Sequence, residues 1–228
     1  LRRESWGGIM TVMLVAGAET TAVSTAWTLS ELARYPEAQK RAREEVLGFF
    51  KGSGEAERAL GPQEFSLGKL CFLEACILEA LRLHAVADGP INTHKSLKPF
   101  ELLGRSFPAG TVVVPLFKPA MKRDMKTRFG WEDLEEFNPK RWMAPDGSID
   151  RDKEEAILSF GGGPRKCPGA QMAKKQMAVV LCTLLSRFGS IRFDEALSGP
   201  GGSLVKQEMR TTICPKNLHL LFEEPVYQ

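Results

Sequence analysis

Met10, Leu14, Ala18 and Val23 recur at helical spacing in a proline-free stretch rich in Ala, Leu, Met and Glu, which predicts one long helix from Leu1 to Tyr35. Its weakly polar run from Gly7 to Ala18 lies between Glu4 and Glu19. That run is shorter than the roughly 20 residues a bilayer-spanning helix needs, so it reads as a buried core helix. Tyr35-Pro36 ends the helix, and Pro36-Glu37 opens a second, charged one with a wet face through about Phe50. Lys51 to Gly61 reads as a linker, and Leu70 to Leu83 as an amphipathic helix with nearly unbroken apolar contacts. Between Ala85 and Pro115 the pattern shortens to strands, Phe100 to Leu103 and Thr111 to Pro115 among them, with turns at Gly104 and Pro108-Ala109-Gly110; one small sheet is expected. Lys118 to Phe160 keeps no period and predicts a long irregular segment held by specific side-chain contacts. Pro168 to Phe188 returns to helix, and short strands follow at Ile191-Phe193, Arg210-Ile213 and Leu218-Phe222.

Composition narrows the class without deciding it. With 228 residues, 43% hydrophobic and 26% charged, the chain excludes disorder, collagen and coiled coil. A net charge of +3 is too small to argue for a nucleic-acid partner. Five cysteines, an odd number without repeated spacing, do not make a disulfide framework and point to free thiols in a reducing compartment. No signal-peptide pattern opens the chain: Leu1-Arg2-Arg3-Glu4 leads directly into helical periodicity, with no initiating Met, so the chain is expected to begin in mid-structure.

The sharpest chemical signal is Phe160-Gly161-Gly162-Gly163-Pro164-Arg165-Lys166-Cys167-Pro168-Gly169. It is a glycine-rich loop presenting one cysteine at a helix start, where the helix dipole and nearby cations favour an anionic sulfur and glycines let backbone N–H groups approach it. A single free cysteine is most often a buried structural residue, but the ten-residue pattern outweighs that reading. A phosphate loop is set aside, because Ala170 and Gln171 stand after Gly169 where Lys-Ser/Thr would be needed.

Phe160, Gly163, Arg165, Cys167 and Gly169 resemble, position for position, the heme-binding loop of the cytochrome P450 family. The resemblance implies heme b as cofactor with Cys167 as axial ligand of its iron. It also implies that Arg165 pairs with a propionate and that Phe160 packs beside the sulfur; the plainer readings are a solvated arginine and a core phenylalanine. Ala16-Gly17-Ala18-Glu19-Thr20-Thr21 resembles the family's oxygen-binding helix, in which small residues make room for dioxygen and an acid–alcohol pair, here Glu19 and Thr20, delivers protons. By itself, a helical Glu-Thr-Thr is commonly a solvated or back-bonded trio. Glu79-Ala80-Leu81-Arg82 fits the family's Glu-x-x-Arg motif, and Phe137-Asn138-Pro139-Lys140-Arg141-Trp142 resembles its Phe-x-Pro-x-Arg stretch. Glu79, Arg82 and Arg141 would then form a structural set that locks the cysteine loop.

Lesser candidates keep two readings each. His94 falls near a basic propionate ligand of the family or is a lone surface histidine. Cys71, Cys76 and His84 lack a finger spacing, so core packing is expected over zinc. Lys40, Arg41, Arg43, Lys166, Lys174 and Lys175 form a positive face for an acidic electron donor, or a plain solvated face.

The resemblance implies a mainly α fold with a smaller β part (α+β), residues 1–228 forming a partial, C-terminal half of the family's domain. The absent half would carry a Trp/Arg propionate clamp, most substrate-contact loops and any membrane anchor, and its lack would leave apolar surface on the first helix uncovered. It further implies a monooxygenase that hydroxylates or epoxidises a small apolar substrate with dioxygen and a reductase. A peroxide-rearranging isomerase or dehydratase and a truncated noncatalytic heme-binding module are the alternatives. Pocket segments are expected at Ala16-Gly17, Val86 to Ile91 and Met209 to Thr212. The Gly52–Gly61 linker and the irregular segment resemble eukaryotic microsomal members, which implies the cytosolic face of the endoplasmic reticulum.

Overall fold

A computed structural model describes residues 3–53, 67–89 and 92–225. The fold is mainly helical, with four two-stranded antiparallel ribbons. Helix α1 (Arg3–Arg34) packs its C-terminal half on α3 (Cys71–Leu83), α6 (Ala170–Arg187) and strand β5 (Ser190–Phe193), and α2 (Pro36–Ser53) covers α3 and α6. Leu32, Val46, Leu73, Ile77, Met177, Leu181 and Phe193 form the centre of the main core. A second cluster joins Leu78 to Met121, Met125, Trp142 and Ile157.

Side chains reaching across elements fix these helices. Gln39 donates from Nε2 to the carbonyls of Leu32 and Ile191 and accepts from Ile191 N–H at 2.9 Å, tying α1, α2 and β5 together. The Glu45 carboxylate accepts from Phe72 and Leu73 N–H, both at 2.9 Å, and so caps the orphan donors at the start of α3. From Phe72 to Leu83 every residue of α3 is buried, which makes it the central post of the molecule.

Several expectations change. The Gly7–Ala18 run is not buried: Val12, Leu14 and Val15 are each about 70% exposed, whereas burial begins at Ser24 and continues to Ala33. By length and composition alone, Trp6–Arg34 is long and apolar enough to cross a membrane. The stretch from Lys118 is not irregular throughout, since α4 (Phe117–Phe129) occupies its start. Only Met121 and Met125 of α4 are buried, too few to write a period. Pro119 sits in the first turn, where it is tolerated, and the distant Asp88 carboxylate accepts from the Phe117 N–H at 2.7 Å. The short helix α5 (Arg151–Glu155) is capped by Asp150.

The expected single sheet is two ribbons, β1 (His94–Lys95) with β4 (Val112–Val113) and β2 (Phe100–Leu102) with β3 (Arg105–Phe107). Arg210–Thr212 is a turn between β6 (Lys206–Met209) and β7 (Ile213–Lys216), not a strand. Strand β8 (Leu220–Glu223) returns to pair with β5. Of the predicted linker, Lys51–Ser53 continue α2 and the remainder lies outside the described residues.

After the short helix α7 (Glu195–Ser198), Gly202 adopts φ +75°, and a Cβ there would stand 2.5 Å from the Phe193 ring. Phe193 is buried and cannot yield. Gly202→Ala is therefore expected to cost about 2–4 kcal/mol, left-handed strain plus overpacking, read as a lowered urea midpoint. A midpoint equal to the parent's would contradict this packing.

Candidate functional site

The loop that carries Cys167 is shaped by two left-handed glycines, Gly161 (φ 71°) and Gly163 (φ 63°). They fold it back so that Cys167 N–H donates to Phe160 C=O at 2.8 Å, and Lys166 N–H donates to Gly163 C=O at 3.1 Å. The cysteine comes just before Gly169, which caps α6, and it is exposed. A Cβ on Gly169 would lie 3.8 Å from the Cys167 sulfur, so the glycine keeps one side of the thiol clear.

Cys167 opens into a cavity of about 720 Å3. Ala16, Gly17 and Thr20 of α1 line it together with Phe160, Arg165 and Gly169. Thr20, Thr21 and Ser24 follow Gly17 at positions i+3, i+4 and i+7, the spacing of one helical face. A side chain at Gly17 would meet nothing within 4 Å, so the glycine leaves open space. Thr20 Oγ1–H donates to Ala16 C=O at 2.6 Å, a back-bond that loosens the helix turn at Ala16-Gly17. Glu19 does not line the cavity: its carboxylate accepts from Thr212 Oγ1–H at 2.8 Å. Gly163 shapes the loop without lining the cavity.

His94 and Arg165, both exposed, bring basic tips to the wall. Val86 and Ala87 also line it; Pro90 and Ile91 lie outside the described residues. Met209 to Thr212 are absent from the lining, because the turn they enter faces Glu19 instead.

Away from the cavity lining, Glu79 is fully buried and accepts four hydrogen bonds. Arg82 gives two, Nε at 2.7 Å and Nη2 at 2.9 Å, while Arg141 Nε, which donates to Asn138 C=O at 3.2 Å, stands 3.0 Å from Glu79 Oε1 as an ion pair. Asn138 N–H and Trp142 Nε1–H donate the others at 3.0 and 2.8 Å. The remaining fork of Arg82 reaches the carbonyls of Leu134 and Glu136. Arg141 also bonds Asp133, whose carboxyl is held below the usual carboxylate range by that guanidinium. The sequence reading missed Trp142; the available signal was that a buried indole N–H must find an acceptor.

The Cytochrome P450 family model matches residues 5–196. The chain belongs to the cytochrome P450 family. It is 34% identical over 203 residues to cytochrome P450 monooxygenase xilC of Penicillium crustosum, covering 82% of this chain and 35% of that protein. Tryptamine 5-hydroxylase of Oryza sativa subsp. japonica is 36% identical over 180 residues, 77% of this chain and 32% of the relative. The mitochondrial 25-hydroxyvitamin D-1 alpha hydroxylase of Mus musculus is 32% identical over 216 residues, 94% of this chain and 39% of the relative. The chain thus spans about a third of the length of the curated relatives it matches.

Proteins of the cytochrome P450 family hold heme through a cysteine thiolate. Among the described residues no group of three or more His, Cys, Asp or Glu could hold a metal ion. Cys76 is buried, and His84 stacks on Trp27 at 3.9 Å with Nε2 2.8 Å from a Glu31 oxygen; burial pulls the imidazole below its ordinary pKa. The expected positive face is also thinner than drawn. Lys174 is buried against Glu154 and Glu74, Arg41 lies over the Phe72 ring, and Arg43 donates to the Phe188 carbonyl.

Proposed function

We propose that Cys167 would hold heme b through its sulfur in a monooxygenase of which residues 1–228 form a C-terminal part. The observation that carries this reading is that Cys167 and Thr20, far apart in sequence, line the same cavity. The donor set suits the cofactor: one accessible sulfur, a mostly apolar lining, and two basic tips, Arg165 and His94, for the anionic edge of the macrocycle. The exposed apolar face of α1 and the coverage of about a third of the relatives support a cavity completed by further chain.

Bound heme supplies dioxygen activation and electron acceptance. Cys167 would anchor it from the loop that Phe160 opens, with Phe160 in the same wall, and Gly17 would leave room on the α1 side. Thr20 donates its own proton to Ala16 C=O, which leaves Oγ1 free to accept, and a transfer through it would pass that hydroxyl proton on as another is taken up. Glu19, the preceding residue, is the source of the proton taken up. The substrate class is a small apolar organic molecule, matched to the lining. Lys40, Lys166 and Lys175 remain exposed and suit an acidic electron-donor protein. An endoplasmic-reticulum site, cytosolic face, is the location we assign.

The test is the carbon-monoxide difference spectrum of the reduced, heme-loaded full-length protein. A strongly red-shifted Soret band, lost in Cys167→Ala, is the expected result. A Cys167→Ala protein that keeps the band would sink the assignment. Turnover that needs no reductant would point instead to peroxide rearrangement.

A further inference from the structure

We propose that Thr212 is a positioning residue for the Glu19 carboxylate, holding it outside the cavity in the place where it loads a proton for Thr20. The inference rests on the monooxygenase reading above. Consecutive helical residues point about 100° apart, so Glu19 leaves the cavity face that Gly17, Thr20, Thr21 and Ser24 share, and meets the β6–β7 turn.

Thr212 is well placed to hold it. It is 2% exposed, and the backbone beside it is pinned from two sides: Ile213 N–H donates to Val86 C=O, and Trp27 Nε1–H donates to Ile213 C=O, both at 2.9 Å. Its single hydroxyl proton goes to Glu19 Oε1 at 2.8 Å. With that proton committed, Thr212 Oγ1 can only accept from the Cys214 thiol 3.3 Å away, whose one proton also has Thr212 C=O within reach at 3.7 Å. Arg210, exposed and paired with Glu208, adds positive charge near the same carboxylate.

This geometry gives a two-position relay. Docked on Thr212, the exposed Glu19 carboxylate takes one proton from solvent. Neutralised, it loses the charge-assisted part of its bond to Thr212. Side-chain rotation then brings the acid toward Thr20; as Oγ1 takes that proton, Thr20 turns its own hydroxyl proton away from Ala16 C=O and passes it to water in the cavity, and the restored carboxylate returns to Thr212. One proton enters and one leaves.

Two measurements on the full-length protein test this. Thermal midpoints of Glu19→Ala, Thr212→Val and the double variant read the contact without any turnover; the double variant should lose no more than Thr212→Val alone, and additive losses would overturn the contact. With the electron donor present, Thr212→Val should raise the peroxide released per electron pair about threefold or more, while Thr212→Ser, which keeps the donor, stays near the parent value. A purely structural threonine would change the midpoints and leave peroxide release unmoved. Parent-level peroxide release in Thr212→Val with the Cys167-dependent band intact would overturn the relay alone, and so would equal effects of Val and Ser. Absence of that band in the parent protein would instead refute the monooxygenase reading and this inference with it.

Discussion

Glu79→Ala is expected to remove about 3–5 kcal/mol of stability, because it leaves the buried Arg82 guanidinium without its counter-charge and Arg141 with only the exposed Asp133 carboxylate. The loss is comparable to the whole stability of a marginal domain, about 5–15 kcal/mol, so little folded protein should remain. Both side chains concerned are nearly sealed: Arg82 is 1% and Arg141 5% exposed, against 0% for Glu79. Neither cation can turn to solvent when the carboxylate is cut away. Asn138 N–H and Trp142 Nε1–H would lose their acceptor as well, which frees the 137–142 strip from α3. Glu79→Gln keeps the volume and one acceptor oxygen but not the charge, and should fall between Ala and the parent. Urea unfolding followed by far-ultraviolet circular dichroism, with soluble yield, reads the series. A Glu79→Ala midpoint within experimental scatter of the parent's would show that the network contributes no net stability, and would favour an apolar replacement of all three residues. The effect should reach the cysteine, since Phe160 packs against both hydrophobic clusters and Met143 joins them just after the strip.

How far the sequence carried this picture depends on where each signal resides. The three helices Pro36–Ser53, Cys71–Leu83 and Ala170–Arg187 were legible because local periodicity, with a proline at the start of the first, writes them directly, although Pro168 announces the third two residues before it begins. Helix α4 was illegible for the opposite reason: it buries two methionines, and its cap comes from Asp88, far upstream in the chain. The Gly7–Ala18 run was read as core because apolar residues are usually covered, yet what covers a face is a property of neighbours, not of the face. In the site, Glu79 with Arg82 could be paired from spacing alone. The docking of Glu19 on Thr212 could not, since residues so far apart in sequence meet only through the β6–β7 turn.

The five thiols should separate by orders of magnitude in alkylation rate. Burial pushes the Cys182 thiol up to about 12, and Cys76 is raised well above its ordinary value by the same cause. A thiol of pKa about 12 holds roughly one part in ten thousand as thiolate at pH 8, and the thiolate is the nucleophile. Cys71 is raised more modestly, by desolvation first and then by the Glu45 and Glu74 carboxylates. Cys167 is the exposed cysteine of the set, on a loop that opens into the cavity. Iodoacetamide labelling of the full-length apoprotein, read peptide by peptide by mass spectrometry, should therefore modify Cys167 first. Cys71 and Cys214, half-buried, should follow, with Cys76 and Cys182 reacting only on unfolding. Labelling of Cys182 as fast as Cys167 would contradict the packing of α6 against α1 and α3. Adding hemin converts the same experiment into a test of ligation, because a sulfur bonded to iron cannot attack. Protection should fall on Cys167 alone, by about tenfold or more, while Cys71 and Cys214 keep their rates. Hemin that shields all three equally would mean burial by aggregation, and hemin that shields none would remove Cys167 from the cofactor site.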